Sequence, residues 1–368
     1  MNNPGSLDLK AYTLDELESY AGSPDYGSSG IIPVSPLRLH SYLHNPRAEK
    51  TDHVLFEMYH AGRLVAYRTL LPDEFFDRQD RAHRFAWFSG NYVDPGFRRM
   101  GISTRLFQLA EDPWEGRLMY TNYAPASRAL YDRTDRFRVL AKRNGKRYYL
   151  RAASRELLSR KGIPGSLLHG ADQLINQIHD KKLARFQSDP VHPFTVEVID
   201  APGRDLESLL AEKQAKSLFR RDRKVFEWIL QYPWVTDQKH ESIPYHFSYR
   251  ASLFKNRLLM FSTPELPVAG FLWMVIHDKR LTVPYAISTG TETEHAMAVE
   301  IIRSMIHDDC AYTTLREHSL VSQMNRFRSW FLARRGMPQL IFVHDKIAGL
   351  VPADRIIYDG DGDVVFTG

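Results

Sequence analysis

The chain has 368 residues, more than one compact core usually organises, which predicts two domains. Apolar residues at 43% and charged residues at 25% exclude a disordered chain. The net charge of +5 arises from 49 basic residues intermingled with 44 acidic ones, a solvated surface that argues against a nucleic-acid partner.

Residues 12–21, "YTLDELESYA", open with Thr13 followed three positions later by Glu16, a capping box that predicts a short helix. "SPDYGSSGIIPVSP" is a loop rich in Gly, Pro and Ser. "HVLFEMYHAGRLVAYRTLL" predicts two strands around Ala61-Gly62, and "HRFAWFSGNYVDP" a further strand ended by Asp94-Pro95. The next helix places Ile102, Leu106, Leu109 and Ala110 on one side. "GRLMYTNYA" reads as a buried strand, "PASRALYDRTDRF" as a short helix and "KRYYLRA" as a closing strand. Residues 1–153 are thus expected as a first domain, 154–190 as a helical connector broken at "GIPG", and 191–368 as a second domain.

The second domain is expected to repeat the order. A strand at "FTVEVID" and helices over "GRDLESLLAEKQAKSLFRRDRKVFEWILQYPW" precede a meander of "YHFSYRASLF", "PVAGFLWMVIHD" and "RLTVPYAIS". A helix at "HAMAVEIIRSMI", a strand near "AYTTLRE", a helix at "QMNRFRSWFLARR" and a last strand "DRIIYDG" follow. The pattern reads as a degenerate structural repeat.

"NYVDPGFRRMGISTRLFQLA", residues 91–110, carries the chemistry most clearly. A strand running through a short turn into a helix leaves the first helical amides without partners, at the positive end of the helix dipole. Gly101 lets backbone approach a phosphate with no β-carbon in the way. Arg98 and Arg99 add charge-assisted contacts, Ser103 and Thr104 add hydroxyls, and no acidic residue falls between Gly96 and Ala110. The segment asks for a phosphate or pyrophosphate.

In this setting the sequence resembles the GNAT superfamily of acyl-coenzyme A-dependent acyltransferases. Its phosphate signature, Arg/Gln-x-x-Gly-x-Gly/Ala, appears as Arg98-Arg99-Met100-Gly101-Ile102-Ser103, with a small serine in the last position. The second signature reads "TNYAPASRALYDRTDRF", with Asn122, Leu130-Tyr131 and Phe137. Here the Tyr–Phe separation is one residue longer than usual and Arg136 replaces a glycine. The resemblance covers roughly residues 12–150 and implies a mixed α/β fold whose sheet is splayed between its fourth and fifth strands. It further implies acetyl-CoA, or another acyl-CoA, lying in the gap. Its pantetheine would pair with Tyr92 and Val93, its pyrophosphate would sit on residues 99–104, and Asn122 would be at the cofactor. The reaction implied is N-acyl transfer through a tetrahedral intermediate, with Tyr131 as general acid to the leaving thiolate.

The strand from Phe85 to Val93 holds no carboxylate to serve as base. Glu57, Asp73, Glu74 and His83 are candidates, as is a water held by Ser89 or Asn91. For the acceptor, "SPLRLHSYLHNPRAE" offers Arg38, His40, Tyr42 and Asn45, and Trp87, Phe88 and Tyr92 are candidates to line its channel. The acceptor is expected to be an amine on a small molecule, amino sugar or peptide.

Where the second domain should repeat the phosphate turn it shows "STGTETEHAMAVE". Glu292 and Glu294 would repel a pyrophosphate, so this domain is expected to be non-catalytic and to shape the acceptor site. The tail "DGDGDVVFT" lacks the ligand spacing of a calcium loop and predicts a polar turn before a final strand. The lone Cys310 excludes an internal disulfide framework, no leader-like segment opens the sequence, and no stretch reaches the ~18 apolar residues of a membrane span. A cytoplasmic protein without metal is expected. Two rival functions remain open: a catalytically silent acyl-CoA-binding or scaffold protein, and a Fem-type aminoacyl transferase.

Overall fold

The computed structural model describes residues 7–121, 131–154, 165–186, 192–238 and 243–367. The chain forms two seven-stranded mixed sheets. The first contains β1 (Leu7–Thr13), β2 (His53–His60), β3 (Arg63–Phe76), β4 (Ala82–Val93), β5 (Leu118–Thr121) and β6 (Phe137–Arg143). The second contains β7 (Lys146–Tyr149), β8 (Thr195–Ile199), β9 (Phe254–Ser262), β10 (Gly270–His277), β11 (Arg280–Ser288), β12 (Tyr312–Leu315) and β13 (Ala333–Gly336). The last strand, β14 (Gln339–His344), returns to the first sheet, whose order is β1-β2-β3-β4-β5-β14-β6. The second sheet runs β13-β7-β12-β11-β10-β9-β8.

Each lobe therefore lends a strand to the other. β7 comes from the first half, yet pairs with β12 and β13, while β14 fills the place between β5 and β6. The "KRYYLRA" strand lies inside the second sheet, between β12 and β13, and does not close the first as expected from the sequence. A strand does not reveal in its own residues which edge it will pair with. "QLIFVH" was missed as a strand, while "DRIIYDG" forms none and the tail ends in a 3-10 turn, Asp363–Phe366. The first meander strand lies at Phe254–Ser262, after "YHFSYRASLF", and the helix at "QMNRFRSWFLARR" stops at Arg326.

The helices follow the repeat. α1 (Leu14–Ala21) starts from the Thr13–Glu16 capping box, and α2 (Pro36–Leu43) from Ser35, whose side chain accepts from the Arg38 amide. α3 (Ile102–Trp114) follows β4, and a helical turn at 131–134 follows β5. α4 (Gly165–Phe186) is the connector; Leu183 and Phe186 seat it on the second lobe. α5 (Arg204–Gln214), α6 (Arg223–Gln231), α7 (Thr291–His307) and α8 (His318–Arg326) repeat α1, α2, α3 and the turn at 131–134. α9 (Asp345–Ala348) follows β14.

Three apolar clusters result. One lies between the lobes, joining α1, α2, α5 and α6 to the facing sides of both sheets through Tyr67, Trp87, Phe219, Phe226 and Trp273. The others sit on the outer faces, under α3 and under α7. The first lobe thus offers two chemically different faces, one under α3 and one toward its twin. No helix among the described residues is long and apolar enough to cross a membrane.

Candidate active site

The turn before α3 has the conformation its sequence suggests. Asp94 accepts from the Gly96 amide and starts a short 3-10 turn, after which Arg99 (φ 64°) and Gly101 (φ 76°) are both left-handed. Glycine adopts that region without strain, whereas arginine does so at some cost, so the turn stores a little strain where a ligand would bind. A β-carbon on Gly101 would meet nothing within 4 Å. The space above the turn is open. Thr104 and Arg105 both donate their amides to the Gly101 carbonyl, so the Thr104 amide expected to hold a ligand is engaged within the helix. The amides before Thr104 remain at the mouth, with no acidic side chain in the first helical turn. Arg98 and Arg99 are exposed; Arg98 Nε donates to the Val93 carbonyl at 3.2 Å. Met100 and Ser103 are half-buried, and Ile102 is buried under the sheet.

β4 pairs with β5 only at Ala86–Leu118 and Trp87–Met119. Beyond Trp87 the strands diverge, and among the described residues the β5-facing edge of Phe88–Val93, including Tyr92 and Val93, has no strand beside it. Within the same stretch β4 bulges. Thr69 faces Gly90 and Leu70 faces Phe88, leaving Ser89 as the extra residue. The bulge interrupts the alternation, so that Ser89 and Gly90 both meet the inter-lobe side.

On the α3 face, Tyr131 lies buried against Phe88 and Tyr120, ring centroids 5.3 and 4.1 Å away. Its hydroxyl accepts from Arg68 Nη1 at 2.7 Å, and Arg68 Nη2 donates to Asn91 at 3.3 Å. Arg68 is fully buried, lies 4.5 Å over the Phe88 ring, and has no carboxylate partner among the described residues. Sequence reading missed Arg68 because it sits in an apolar strand run. The unusual Tyr–Phe spacing also has a local account: Asp135 (φ 50°) takes the left-handed position, and Arg136 reaches Glu111 on α3, which His344 of β14 also contacts at 2.8 Å. Asn122 and Leu130 lie outside the described residues.

The opposite face, toward the second lobe, carries the candidate acceptor groups. Ser89 Oγ donates to Asp363 Oδ2 of the C-terminal segment at 2.6 Å. Arg38 is buried, donates to the hydroxyls of Tyr42, Thr69 and Tyr245, and stacks 4.1 Å over Trp234. Burial opposes its charge, but the Tyr42 and Tyr245 hydroxyls outweigh that and hold the guanidinium protonated. One Arg38 nitrogen lies 3.3 Å from where a Gly90 β-carbon would be. A strap of the second lobe crosses here: Tyr245 bridges to Ile32, His246 packs on Tyr92 and Phe247 on Tyr67. Burial, aided by the nearby Arg98 charge, lowers the basicity of His246.

The residues offered for the acceptor and for a base water do not share a face. Arg38, Tyr42 and Ser89 meet on the inter-lobe side, and Asn91 lies on the Tyr131 side. Trp87 packs in the inter-lobe core and donates Nε1 to Asp73 at 2.9 Å. His40 is exposed, and buried Asn45 donates to the Pro72 carbonyl. Among the candidate bases, Asp73, Glu74 and His83 sit toward the far end of the sheet, ~13 Å or more along the strands from the bulge. Burial pushes the Asp73 carboxyl up, but Arg221 and Arg47 outweigh it and hold it below the usual carboxylate range. Glu57 lies two strands from β4, accepts from Tyr20 and Tyr59, and is pushed by burial up to about 7. Asp363 touches the bulge itself. Its position 274 residues away in sequence left no local signal for that.

Comparison with known proteins agrees with this geometry. Residues 16–135 match the model of the Acetyltransferase (GNAT) family. The match lies within the first lobe, and the two sheets give the chain a pair of lobes of GNAT-like fold. No curated protein matches the chain by sequence. Among solved structures, a GCN5-related N-acetyltransferase from Anabaena variabilis aligns over 92% of this chain and 72% of its own, with 7% identity and a TM-score of 0.50. Saccharomyces cerevisiae N-myristoyltransferase with bound myristoyl-CoA aligns over 94% and 80%, with 10% identity and a TM-score of 0.54. At these identities the likeness is one of fold.

Proposed function

We propose that the first lobe transfers an acyl group, acetyl in the simplest case, from acyl-CoA to a primary amine. The observation that carries this reading is the meeting of three features in one place. These are the open left-handed turn at Gly101, the β4 edge that no described strand pairs beyond Trp87, and the Tyr131–Arg68 pair beside it. Bound acyl-CoA supplies an activated thioester. The backbone of Tyr92 and Val93 suits its amide-bearing arm, and the residues from Arg98 to Ser103 suit its diphosphate, with Thr104 contributing its hydroxyl.

Tyr131 serves as general acid. Because its oxygen accepts from Arg68, its own proton is left to point elsewhere, toward a departing thiolate, and the cation steadies the phenolate that forms. Asp363, aimed at the bulge by Ser89, takes a proton from the incoming ammonium. A second proton, lost from nitrogen after C–N bond formation, restores Tyr131 as the C–S bond breaks. Asn91 supports Arg68, while Arg38 and Tyr42 wall the acceptor side at Gly90.

Free thiol release from acetyl-CoA with a panel of amines tests the reading. Asp363→Asn is expected to lower turnover about 100-fold and leave acetyl-CoA affinity unchanged. Binding of acetyl-CoA without thiol release for any amine would leave a silent binding protein. No binding at all would remove the acyl-CoA assignment.

A further inference from the structure

The second lobe holds a small cavity that acyl transfer does not use. Arg147 of β7, Arg280 and Pro284 of β11, Arg316, Asp359 and Val364 are among the residues that line about 120 Å³ of space. That is about four water molecules' worth at ~30 Å³ each. It sits where β11 parts from β12, the place corresponding to the splay of the first lobe.

The charges there do not balance. Arg147 uses Nε on the Thr314 hydroxyl and lies 4.4 Å over the Tyr312 ring. Arg280 reaches the Thr367 carbonyl at 3.4 Å and His277 Nδ1 at 3.0 Å, and its buried Nε has no partner. Arg316 meets Asp359 only at 3.6 Å, and its buried Nε is also unpartnered. Asp359 makes its closer ion pair, 2.7 Å, with Arg143, which lies outside the lining. The nearby Glu317 carboxyl is pushed up to about 8 by burial, with Asp359 and Glu294 adding to the effect, so it is largely neutral at pH 7. Burial, joined by the neighbouring charge of Arg147, lowers the basicity of both Arg280 and Arg316. Cations crowded into a partly enclosed space with unused N–H groups call for an anion.

We infer that this cavity binds a small tetrahedral oxyanion of the phosphate class, gripped by Arg147, Arg280 and Arg316. Guanidinium forks match oxyanion geometry, and the volume admits such an ion while excluding a nucleotide or a pantetheine arm. The site is separate from the acyl-CoA turn of the first lobe.

Calorimetric titration with inorganic phosphate at constant ionic strength tests it. The full chain carries Arg98→Glu and Gly101→Glu, so that the first-lobe turn contributes nothing. Phosphate is expected to bind this parent, at least tenfold more weakly after Arg280→Gln or Arg316→Gln, and equally well after Arg334→Gln on the adjacent edge strand β13, where Arg334 stands beside Tyr148 and not Arg147. Absence of binding to the parent, or equal affinity across all the variants, overturns the inference. Should the glutamine variants fold poorly, crystals of the unaltered chain soaked in tungstate decide. An anomalous peak among the three guanidiniums supports the site, and peaks only elsewhere overturn it.

Discussion

The two lobes share a topology yet treat their splays in opposite ways. In the first, β4 leaves β5 after two paired positions and the space over Gly101 is open. In the second, β11 leaves β12 after three, and the C-terminal segment lies along the strand beyond. There the Gly360 amide donates to the Pro284 carbonyl at 2.8 Å, and the Tyr285 hydroxyl donates to Asp361 at 3.3 Å. α3 begins at a left-handed glycine with no acid in its first turn; α7 begins at an extended Gly290, with Glu292 and Glu294 directly after it. A strand–turn–helix unit is therefore not a site by topology alone. The charge of the first turn, and whatever fills the gap, decide.

The largest test of this contrast is Arg98→Glu with Gly101→Glu. Giving the first turn the acidic character of the second is expected to weaken acetyl-CoA binding by about 1,000-fold or more, roughly 4 kcal/mol, with an unchanged circular dichroism spectrum. Retained affinity would separate the turn from the ligand. Next is Tyr131→Phe, which keeps the ring packing on Phe88 and removes the proton. Turnover should fall about 100-fold with the acetyl-CoA dissociation constant unmoved; equal turnover takes Tyr131 out of the mechanism.

Gly360→Ala probes the other side of the comparison. Its β-carbon would come within 2.5 Å of the Tyr285 ring and 2.8 Å of Pro284, so a loss of about 2 kcal/mol is expected in denaturant unfolding. A neutral result would mean the segment is not packed in the second splay.

The smallest effect concerns Glu57, whose carboxyl burial pushes from 4.5 to about 7. The folded state holds this proton more tightly than the unfolded one. Its contribution is therefore greatest below pH 4.5 and is lost as pH rises through 7. Glu57→Gln should match the parent near pH 4 and be more stable at pH 8 by about 1–2 kcal/mol, below the ~3.4 kcal/mol that a rise from 4.5 to about 7 carries in full at ~1.4 kcal/mol for each tenfold in proton affinity. A parent whose stability does not fall between pH 5 and 8 would contradict a buried, proton-holding Glu57.

Local features were legible in the sequence because their causes are local. The Thr13–Glu16 capping box forms as spaced, the helix after β4 buries Ile102, Leu106 and Ala110, and Gly101 takes a left-handed conformation at the helix start. Each depends on side chains within a few positions of one another, and their hydrogen bonds or φ angles do not wait for the rest of the fold.

What depends on distant partners had no such signal. Nothing within "KRYYLRA" or "QLIFVH" tells a strand which sheet it will complete, since a strand edge offers the same N–H and C=O groups to any neighbour. Arg68 is one more residue in a buried strand until Tyr131 is packed against it, and Asp363 is one more tail acid until β4 bulges at Ser89. Residue types and spacing determined the turn, the helix starts and the absence of a carboxylate from the strand before the turn. The exchange of strands, the filling of the second gap and the proton-handling pairs came only with the tertiary fold, because charges and hydroxyls act over a few ångströms of space and chain distance does not measure that.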